Sequence, residues 1–118
     1  MRYLICGSRE FADPKQVDDY IKRLPPLSTI ISGGARGVDT WASNAAKRYG
    51  HKTLIFPADW KKYGKAAGFV RNKQMIDEGK PDHVVAFWDG ESKGTSMMID
   101  FVKKANITME IHYASRTD

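Results

Sequence analysis

The sequence predicts an α/β fold: a single doubly wound domain with about five mainly parallel strands and helices on both faces of the sheet. Short apolar runs alternate with amphipathic helical patterns along the chain, and that order favours parallel strands joined by right-handed crossovers. The run at residues 83–88 is almost entirely apolar, which is typical of a strand buried on both faces. No repeat or linker divides the 118 residues, so we expect one domain over residues 1–113 and a polar C-terminal tail over residues 114–118.

Each predicted element has a local signal in the chain. The first helix is expected to begin at Asp13-Pro14, because aspartate is a favoured N-cap and proline suits the first helical position. The second helix is expected over residues 38–49, with Gly50 as the glycine that follows a helix end. A long connection is expected over residues 57–67. The strands are expected at residues 2–6, 28–32, 53–56, 83–88 and 107–112, and two further helices at residues 69–78 and after a turn at 89–94.

Composition and charge narrow the class of partner. The formal net charge of +5 favours anionic partners. No apolar run approaches the roughly 20 residues of a membrane-spanning helix, so no membrane association is expected. The single cysteine, Cys6, is read as a small buried residue, and its being alone is compatible with a reducing, cytoplasmic location. The three histidines lack the spacing of metal ligands, and the sequence predicts neither a metal nor a cofactor.

Four loops follow the predicted strands, and the carboxyl ends of parallel strands are where such folds bind ligands. The loop at residues 33–39 runs through three glycines into a helix, so backbone N–H groups and a helix N-terminus are expected to point at one place that suits a phosphate. Asp39, in the first turn of that helix, either is stabilised by the helix dipole or binds a ribose hydroxyl. Arg36 either points to solvent or closes over the ligand.

The loops before and after this one carry further ligand-binding groups. Ser8 and Arg9 follow the first strand, and a hydroxyl with an arginine fork can bind phosphate oxygens. Asp59 and Trp60 lie in the long third loop, where Trp60 and Tyr63 alternate with lysines. Aromatic rings among cations can stack a base and neutralise phosphate. The alternative interpretation of this loop is a solvated lid with a partly buried tryptophan.

The third and fourth loops end in helix starts that carry polar groups. Arg71 and Asn72 lie at the start of a predicted helix, where the dipole opposes a cation, so an arginine there indicates pairing with a ligand anion or an acidic side chain. Thr95 follows Gly94 and either caps the last helix or holds a second anion. The candidate ligand-binding residues are Gly7, Ser8, Arg9, Gly33, Gly34, Ala35, Arg36, Gly37, Asp39, Asp59, Trp60, Arg71, Asn72, Gly94 and Thr95; Arg71 and Asp39 are also the candidate catalytic residues.

Together these motifs resemble the SLOG superfamily of Rossmann-like nucleotide-binding domains, and most closely its small YspA-type family. The resemblance covers about residues 1–112. It implies that the loops bind a nucleotide or a nucleotide-derived ligand, such as an ADP-ribose-like molecule. The motifs that carry it are residues 6–9, 32–39, 56–60, 64–68, 71–72 with Met75, and 94–95.

The Lonely Guy phosphoribohydrolases, another branch of the superfamily, indicate what this chain shares with an enzyme and what it lacks. In that branch a Pro-Gly-Gly-x-Gly-Thr-x-x-Glu motif supplies a catalytic glutamate, and an arginine of the preceding helix assists it. Arg71 falls at a position similar to that arginine, whereas Met98 stands at the position of the glutamate. A thioether cannot act as an acid or a base. Asp39, Asp59, Asp89 and Glu91 remain open as substitutes.

Three functions are therefore predicted, in order of preference. The first is a nucleotide-binding sensor or ligand-sequestering module. The second is a hydrolase of the N-glycosidic or phosphate bond of a nucleotide, using Arg71 and an aspartate. The third is single-stranded nucleic-acid binding, which the resemblance permits because the SLOG superfamily includes the DNA-processing protein A group. The sequence also leaves open whether the protein forms a homo-oligomer. The residues concerned either belong to the core or form an interface, and they are Trp41, Trp88 and the Met97-Met98 pair.

Overall fold

The computed structural model describes residues 1–113, which form one α/β unit around a five-stranded sheet. All strand pairs are parallel, and the strand order is β3-β2-β1-β4-β5. The predicted fold class is thereby confirmed, whereas the tail at residues 114–118 lies outside the described residues. The strands are β1 (Arg2–Gly7), β2 (Thr29–Ser32), β3 (Lys52–Ile55), β4 (His83–Phe87) and β5 (Thr108–His112).

The strand order reverses between β1 and β4, which are hydrogen-bonded neighbours at the centre of the sheet. The chain moves outward from β1 to β3 on one side, then returns to β4 and continues to β5 on the other. The loops after β1 and β4 therefore diverge at their carboxyl ends and leave room for a crevice. This topology places the candidate site at one edge of the sheet.

Five helices connect the strands, and two differ from the prediction. The connection at 57–67 is not a plain loop: it contains a short helix and a 3-10 turn (Gly64–Ala66), because Asp59 accepts a hydrogen bond from the backbone N–H of Lys62 at 3.1 Å and caps that helix. The last helix begins inside the predicted turn at 89–94. The helices are α1 (Pro14–Lys22), α2 (Val38–Arg48), α3 (Trp60–Tyr63), α4 (Ala67–Asp77) and α5 (Lys93–Lys104).

Local caps set the ends of the helices that the sequence predicted best. The Asp13 carboxylate accepts a hydrogen bond from the backbone N–H of Gln16 at 3.2 Å at the start of α1. After α2, Gly50 has a φ of +79°, and the N–H of His51 donates to the carbonyl of Ala46 at 2.8 Å. That pattern is the Schellman motif, which favours glycine because of the left-handed backbone.

The helices cover both faces of the sheet and form two cores. Successive residues of a strand point to opposite faces, so Ile5 packs with α1 and α2, whereas Leu4 packs with α4 and α5. Trp41 and Trp88 are partly buried and pack against these cores, and Met98 is buried in one of them. No helix within residues 1–113 has the length and apolar character needed to cross a membrane.

Candidate functional site

A cleft of about 530 Å³ opens at the carboxyl edge of the sheet, beside the point where the strand order reverses. The loops that follow β1, β2 and β4 line it, together with the starts of α3, α4 and α5. The predicted loops thus meet at one place. The predicted residues that line the cleft are Gly7, Arg9, Ala35, Arg36, Asp39, Trp60, Arg71, Asn72, Gly94 and Thr95.

Five other predicted residues lie outside the lining of the cleft: Ser8, Gly33, Gly34, Gly37 and Asp59. Ser8 is buried; its N–H donates to the carbonyl of Phe87 at 3.0 Å, and its Oγ accepts from the N–H of Asp89 at 3.1 Å. Ser8 therefore ties the first loop to the fourth. Asp59 caps α3 and lines a smaller, separate hollow.

Arg71 is held by two hydrogen bonds at the wall of the cleft. Its Nη1 donates to the carbonyl of Gly33 at 2.8 Å, and its Nε donates to Oδ1 of Asn72 at 3.0 Å. Asn72 is buried, and its Nδ2 donates to the carbonyl of Gly94 at 3.5 Å. Burial lowers the pKa of Arg71, although the charge of Asp39 opposes that shift. One network thus joins the turn after β2 to the starts of α4 and α5.

Two glycines of the turn after β2 permit close approaches within the protein. A Cβ at Gly33 would lie 2.5 Å from Nη1 of Arg71 and 2.9 Å from Oδ2 of Asp39. Gly37 has a φ of +77°, and a Cβ there would lie 2.7 Å from the carbonyl oxygen of Arg9. These two glycines, both predicted as ligand-binding residues, permit close contacts between groups of the protein itself.

Asp39 is a buried anion that faces the same turn. It is 6% exposed, and its Oδ2 accepts a hydrogen bond from the N–H of Ala35 at 3.2 Å. Burial raises the pKa of Asp39 to about 6, although the N–H groups of Ala35 and Gly33 and the charges of Arg71 and Arg9 lower it. Part of the predicted anion-binding turn is therefore directed at the protein's own carboxylate.

In the fourth loop, as in the second, an aspartate accepts hydrogen bonds from backbone N–H groups of the loop, and this aspartate is Asp89. Its Oδ1 accepts hydrogen bonds from the N–H groups of Glu91 and Ser92, each at 2.8 Å, and these bonds lower the pKa of Asp89. Ser92 occupies the N-cap of α5 but makes no side-chain cap hydrogen bond. The first turn of α5, which lines the cleft at Gly94 and Thr95, thus has no side-chain cap in the structure.

Aromatic and sulfur-containing side chains also line the cleft, and only Trp60 among them is a predicted ligand contact. Trp60 is 55% exposed at its rim, and Met98 contributes a buried thioether where the resemblance would place a glutamate. Cys6 also lines the cleft, and burial raises the pKa of its thiol, which therefore stays protonated. The lining residues that were not predicted as ligand contacts are Cys6, Glu10, Gly68, Met75, Asp89, Glu91, Ser92, Met97 and Met98.

Helical phase could have found some of the missed residues. Gly68 and Met75 lie three residues before and four residues after Arg71, so they share its face of α4. The same reasoning joins Met98 to Gly94 and Thr95 on α5. Among residues 1–113, no group of three or more His, Cys, Asp or Glu side chains is arranged to hold a metal ion.

A second hollow of about 600 Å³ lies over β4 and β5, near the end of α1. Its central carboxylate, Glu110, accepts a hydrogen bond from the hydroxyl of Tyr20 at 2.6 Å. The Nε2 atoms of His83 and His112 lie 2.6 and 3.1 Å from the two oxygens of that carboxylate. Burial raises the pKa of Glu110, but these three hydrogen bonds hold it below its usual value. Because these polar groups satisfy one another, the hollow is a weaker candidate site than the cleft.

Comparison with known proteins gives matches to a family model, to a phage protein and to a solved structure. A family model described as "YspA, cpYpsA-related SLOG family" matches residues 1–63. The Gene 61 protein of Mycobacterium phage D29 is 36% identical over 115 residues, which cover 90% of this chain and 91% of that protein. The X-ray structure of DNA processing protein A (DprA) from Streptococcus pneumoniae has a TM-score of 0.81 and 21% identity over 99% of this chain. The chain spans 52% of that DprA chain, and at this identity the likeness shows the fold alone.

Proposed function

Because the chain belongs to the YspA, cpYpsA-related SLOG family, we propose that it binds a nucleotide or nucleotide-derived ligand in the cleft, as a sensor or ligand-sequestering module. Family membership supports a nucleotide-binding or nucleic-acid-processing role in general terms. The proposed contacts are the predicted residues that line the cleft. For Ser8, Gly33, Gly34, Gly37 and Asp59 we propose a role in shaping the loops.

The guanidinium of Arg71 is the observation that carries the proposal. The structure of residues 1–113 records two hydrogen bonds from this group, to Gly33 and Asn72, and a guanidinium has five N–H donors. Donors therefore remain for a phosphate, on a fork that is already oriented and loses little freedom on binding. Arg9 and Arg36 line the same cleft and add positive charge.

Isothermal titration calorimetry against ADP-ribose, mononucleotides and cyclic nucleotides tests the proposal. We expect at least one member of this panel to bind, and Arg71→Ala to weaken its binding by about 10- to 150-fold. That range corresponds to about 1.5–3 kcal/mol for a hydrogen bond to a charged group. Failure of every member of the panel to bind the wild-type protein would remove the support for the proposal.

Lys73→Ala is the matched control for Arg71→Ala. Lys73 lies on the same helix, so its replacement removes the same charge. Its side chain is 62% exposed and pairs with Asp77 at 3.3 Å, outside the lining of the cleft. We expect less than about a twofold change in affinity, as for a surface charge. An equal loss in both variants would assign the effect to overall charge and not to the cleft.

A nucleotide hydrolase that uses Arg71 and Asp39 is the second candidate function. The observation that favours it is the buried Asp39 carboxylate, whose pKa of about 6 suits a general acid or base near neutral pH. Met98 argues against the phosphoribohydrolase mechanism, because a thioether cannot replace a glutamate. Incubation with the same panel, followed by chromatography for free base or phosphate, separates hydrolysis from binding. Product formation that persists in Asp39→Asn would exclude this role of Asp39.

Single-stranded nucleic-acid binding is a third candidate. Trp60 and Tyr63 are 55% and 37% exposed beside the lysines of α3, and Nζ of Lys62 lies 5.1 Å from the ring centre of Tyr63. Such a surface can stack bases. The expected signature is affinity for an oligonucleotide that falls steeply with salt. Weak binding that does not depend on salt would count against this candidate.

We also propose that the protein is cytoplasmic. The free, buried thiol of Cys6 is compatible with that location.

We propose in addition that the protein associates with itself. The exposed apolar side chains that could support it include Ile55, Trp60 and Phe69. Light scattering of the purified protein would give the oligomeric state directly.

A further inference from the structure

We propose that Asp39 couples ligand binding to proton uptake, so that a phosphate group binds against Arg71 when Asp39 carries a proton. The inference rests on the proposed function, because the phosphate belongs to the nucleotide ligand. It adds a regulation to that site: the cleft would bind its ligand more tightly in acid.

The geometry places Asp39 and Arg71 on either side of the same turn. A single point, the Cβ position of Gly33, is 2.5 Å from Nη1 of Arg71 and 2.9 Å from Oδ2 of Asp39. An anion that binds at Nη1 of Arg71 therefore lies close to the Asp39 carboxylate. Two negative charges at short range in a partly buried site repel strongly, and protonation of Asp39 removes that repulsion.

The protein offers Asp39 limited compensation for a second anion. The charged groups that act on it are Arg71 from α4 and Arg9 from the loop after β1. Cys6 of β1 carries a thiol that stays protonated, and the N–H groups of Gly33 and Ala35 already face the carboxylate. The other carboxylates that line the cleft, those of Glu10, Asp89 and Glu91, are on exposed residues and interact with a ligand through solvent.

The acidity of Asp39 makes this coupling accessible near neutral pH. Burial raises its pKa to about 6 in the free protein. A bound phosphate raises that pKa further, because like charges favour the protonated form. The protonated carboxyl also offers an O–H donor, which a phosphate oxygen can accept. If Asp39 instead accepted a hydrogen bond from a ribose hydroxyl, it would act as the carboxylate, and acid would weaken binding.

Calorimetric titration with ADP-ribose at pH 5, 6, 7 and 8 separates the two roles by sign. Both phosphates of ADP-ribose are esterified, so the ligand lacks the phosphomonoester proton that titrates near pH 6. If bound phosphate raises the pKa of Asp39 by one unit, affinity should be about eightfold higher at pH 5 than at pH 8. Titration at pH 6.5 in two buffers of different ionisation enthalpy should show uptake of about half a proton per ligand.

Two variants assign the effect to the residue. Asp39→Asn keeps a similar shape and should bind ADP-ribose with little dependence on pH, whereas Glu78→Gln removes an exposed carboxylate outside the lining of the cleft and should keep the wild-type slope. If Asp39→Asn fails to fold, the pH dependence of the wild-type affinity and the number of protons taken up per ligand still test the inference. Affinity that is constant with pH, or that falls in acid, would overturn the inference and leave the proposed function intact. Failure of ADP-ribose, mononucleotides and cyclic nucleotides alike to bind at any pH would overturn both.

Discussion

Replacing Gly33 by alanine tests the network that organises the cleft. The new methyl group would meet Nη1 of Arg71 at 2.5 Å and Oδ2 of Asp39 at 2.9 Å, distances at which the ends of these two side chains must shift. The backbone of Gly33 does not have a positive φ, so the strain comes from these contacts and not from the conformation of the residue. Arg71 must then move away from the carbonyl that it contacts at 2.8 Å.

The expected cost follows from the hydrogen bond that is lost. A hydrogen bond to a charged group contributes about 1.5–3 kcal/mol, so we expect Gly33→Ala to lower the free energy of unfolding by about 2 kcal/mol. Urea denaturation followed by circular dichroism measures this free energy of unfolding. Its slope against urea concentration should be the same in the variant as in the wild type. Gly68→Ala is the matched control, because a Cβ there meets nothing within 4 Å and the residue is helical. That variant should be more stable than the wild type by up to about 1 kcal/mol.

A double-mutant cycle shows whether Arg71 is the cause. In an Arg71→Ala background the guanidinium is gone, so the added methyl group should cost at least about 1 kcal/mol less than in the wild type. A residual cost is expected from Asp39. If the two changes add within about 0.5 kcal/mol, the contact with Arg71 is not what the alanine disturbs, and Gly33 does not position Arg71.

Three other outcomes follow from the same structure. Phe87→Ala should lower the free energy of unfolding by about 3–5 kcal/mol, because Phe87 is fully buried, whereas Phe69→Ala, at a side chain 49% exposed, should cost less than about 1 kcal/mol in the same urea assay. Asn72→Ala leaves a donor of Arg71 without its partner and should cost about 1–3 kcal/mol, with a loss of ligand affinity that a purely structural role would not produce. Because the pKa of Asp39 is raised on folding, the folded state binds more protons than the unfolded state between about pH 4 and 6, and its ionisation removes stability as the pH rises through that window. The free energy of unfolding of Asp39→Asn, relative to that of the wild type, should therefore rise by up to about 3 kcal/mol between pH 4 and pH 7. If the free energies of unfolding of the two proteins changed equally with pH, that result would contradict this prediction.

The fold could be predicted because its signals are local and agree with one another. The cap at Asp13 and the glycine after α2 both act within a few residues, and the apolar run of β4 needs no partner to be read as a buried strand. Helix α3 was missed for a related reason. Asp59 is a favoured N-cap, but the residues after it are lysines and aromatics without a buried face, so no apolar period indicated a helix.

The sequence was enough to predict which loops meet at the site, but not how their backbone groups are oriented there. The crossover rule places every loop that follows a parallel strand at one edge, so Arg71 and the turn after β2 could be expected as neighbours. The direction in which the N–H groups of that turn point could not be predicted. Whether the N–H of Ala35 faces the cleft or the Asp39 carboxylate depends on the path of the backbone through Gly34, whose φ of +72° is one of several that glycine adopts with equal ease.

The groups that line the cleft together limit the kind of molecule that fits it. Asp39 partly balances the charge of Arg71, so a bare inorganic anion gains less there than it would from an isolated arginine. Met97, Met98 and the exposed ring of Trp60 also line the cleft, and such groups favour contact with apolar and aromatic surface. A ligand that uses both kinds of group needs an anionic group and a flat apolar group. A nucleotide has that combination, and an isolated phosphate does not.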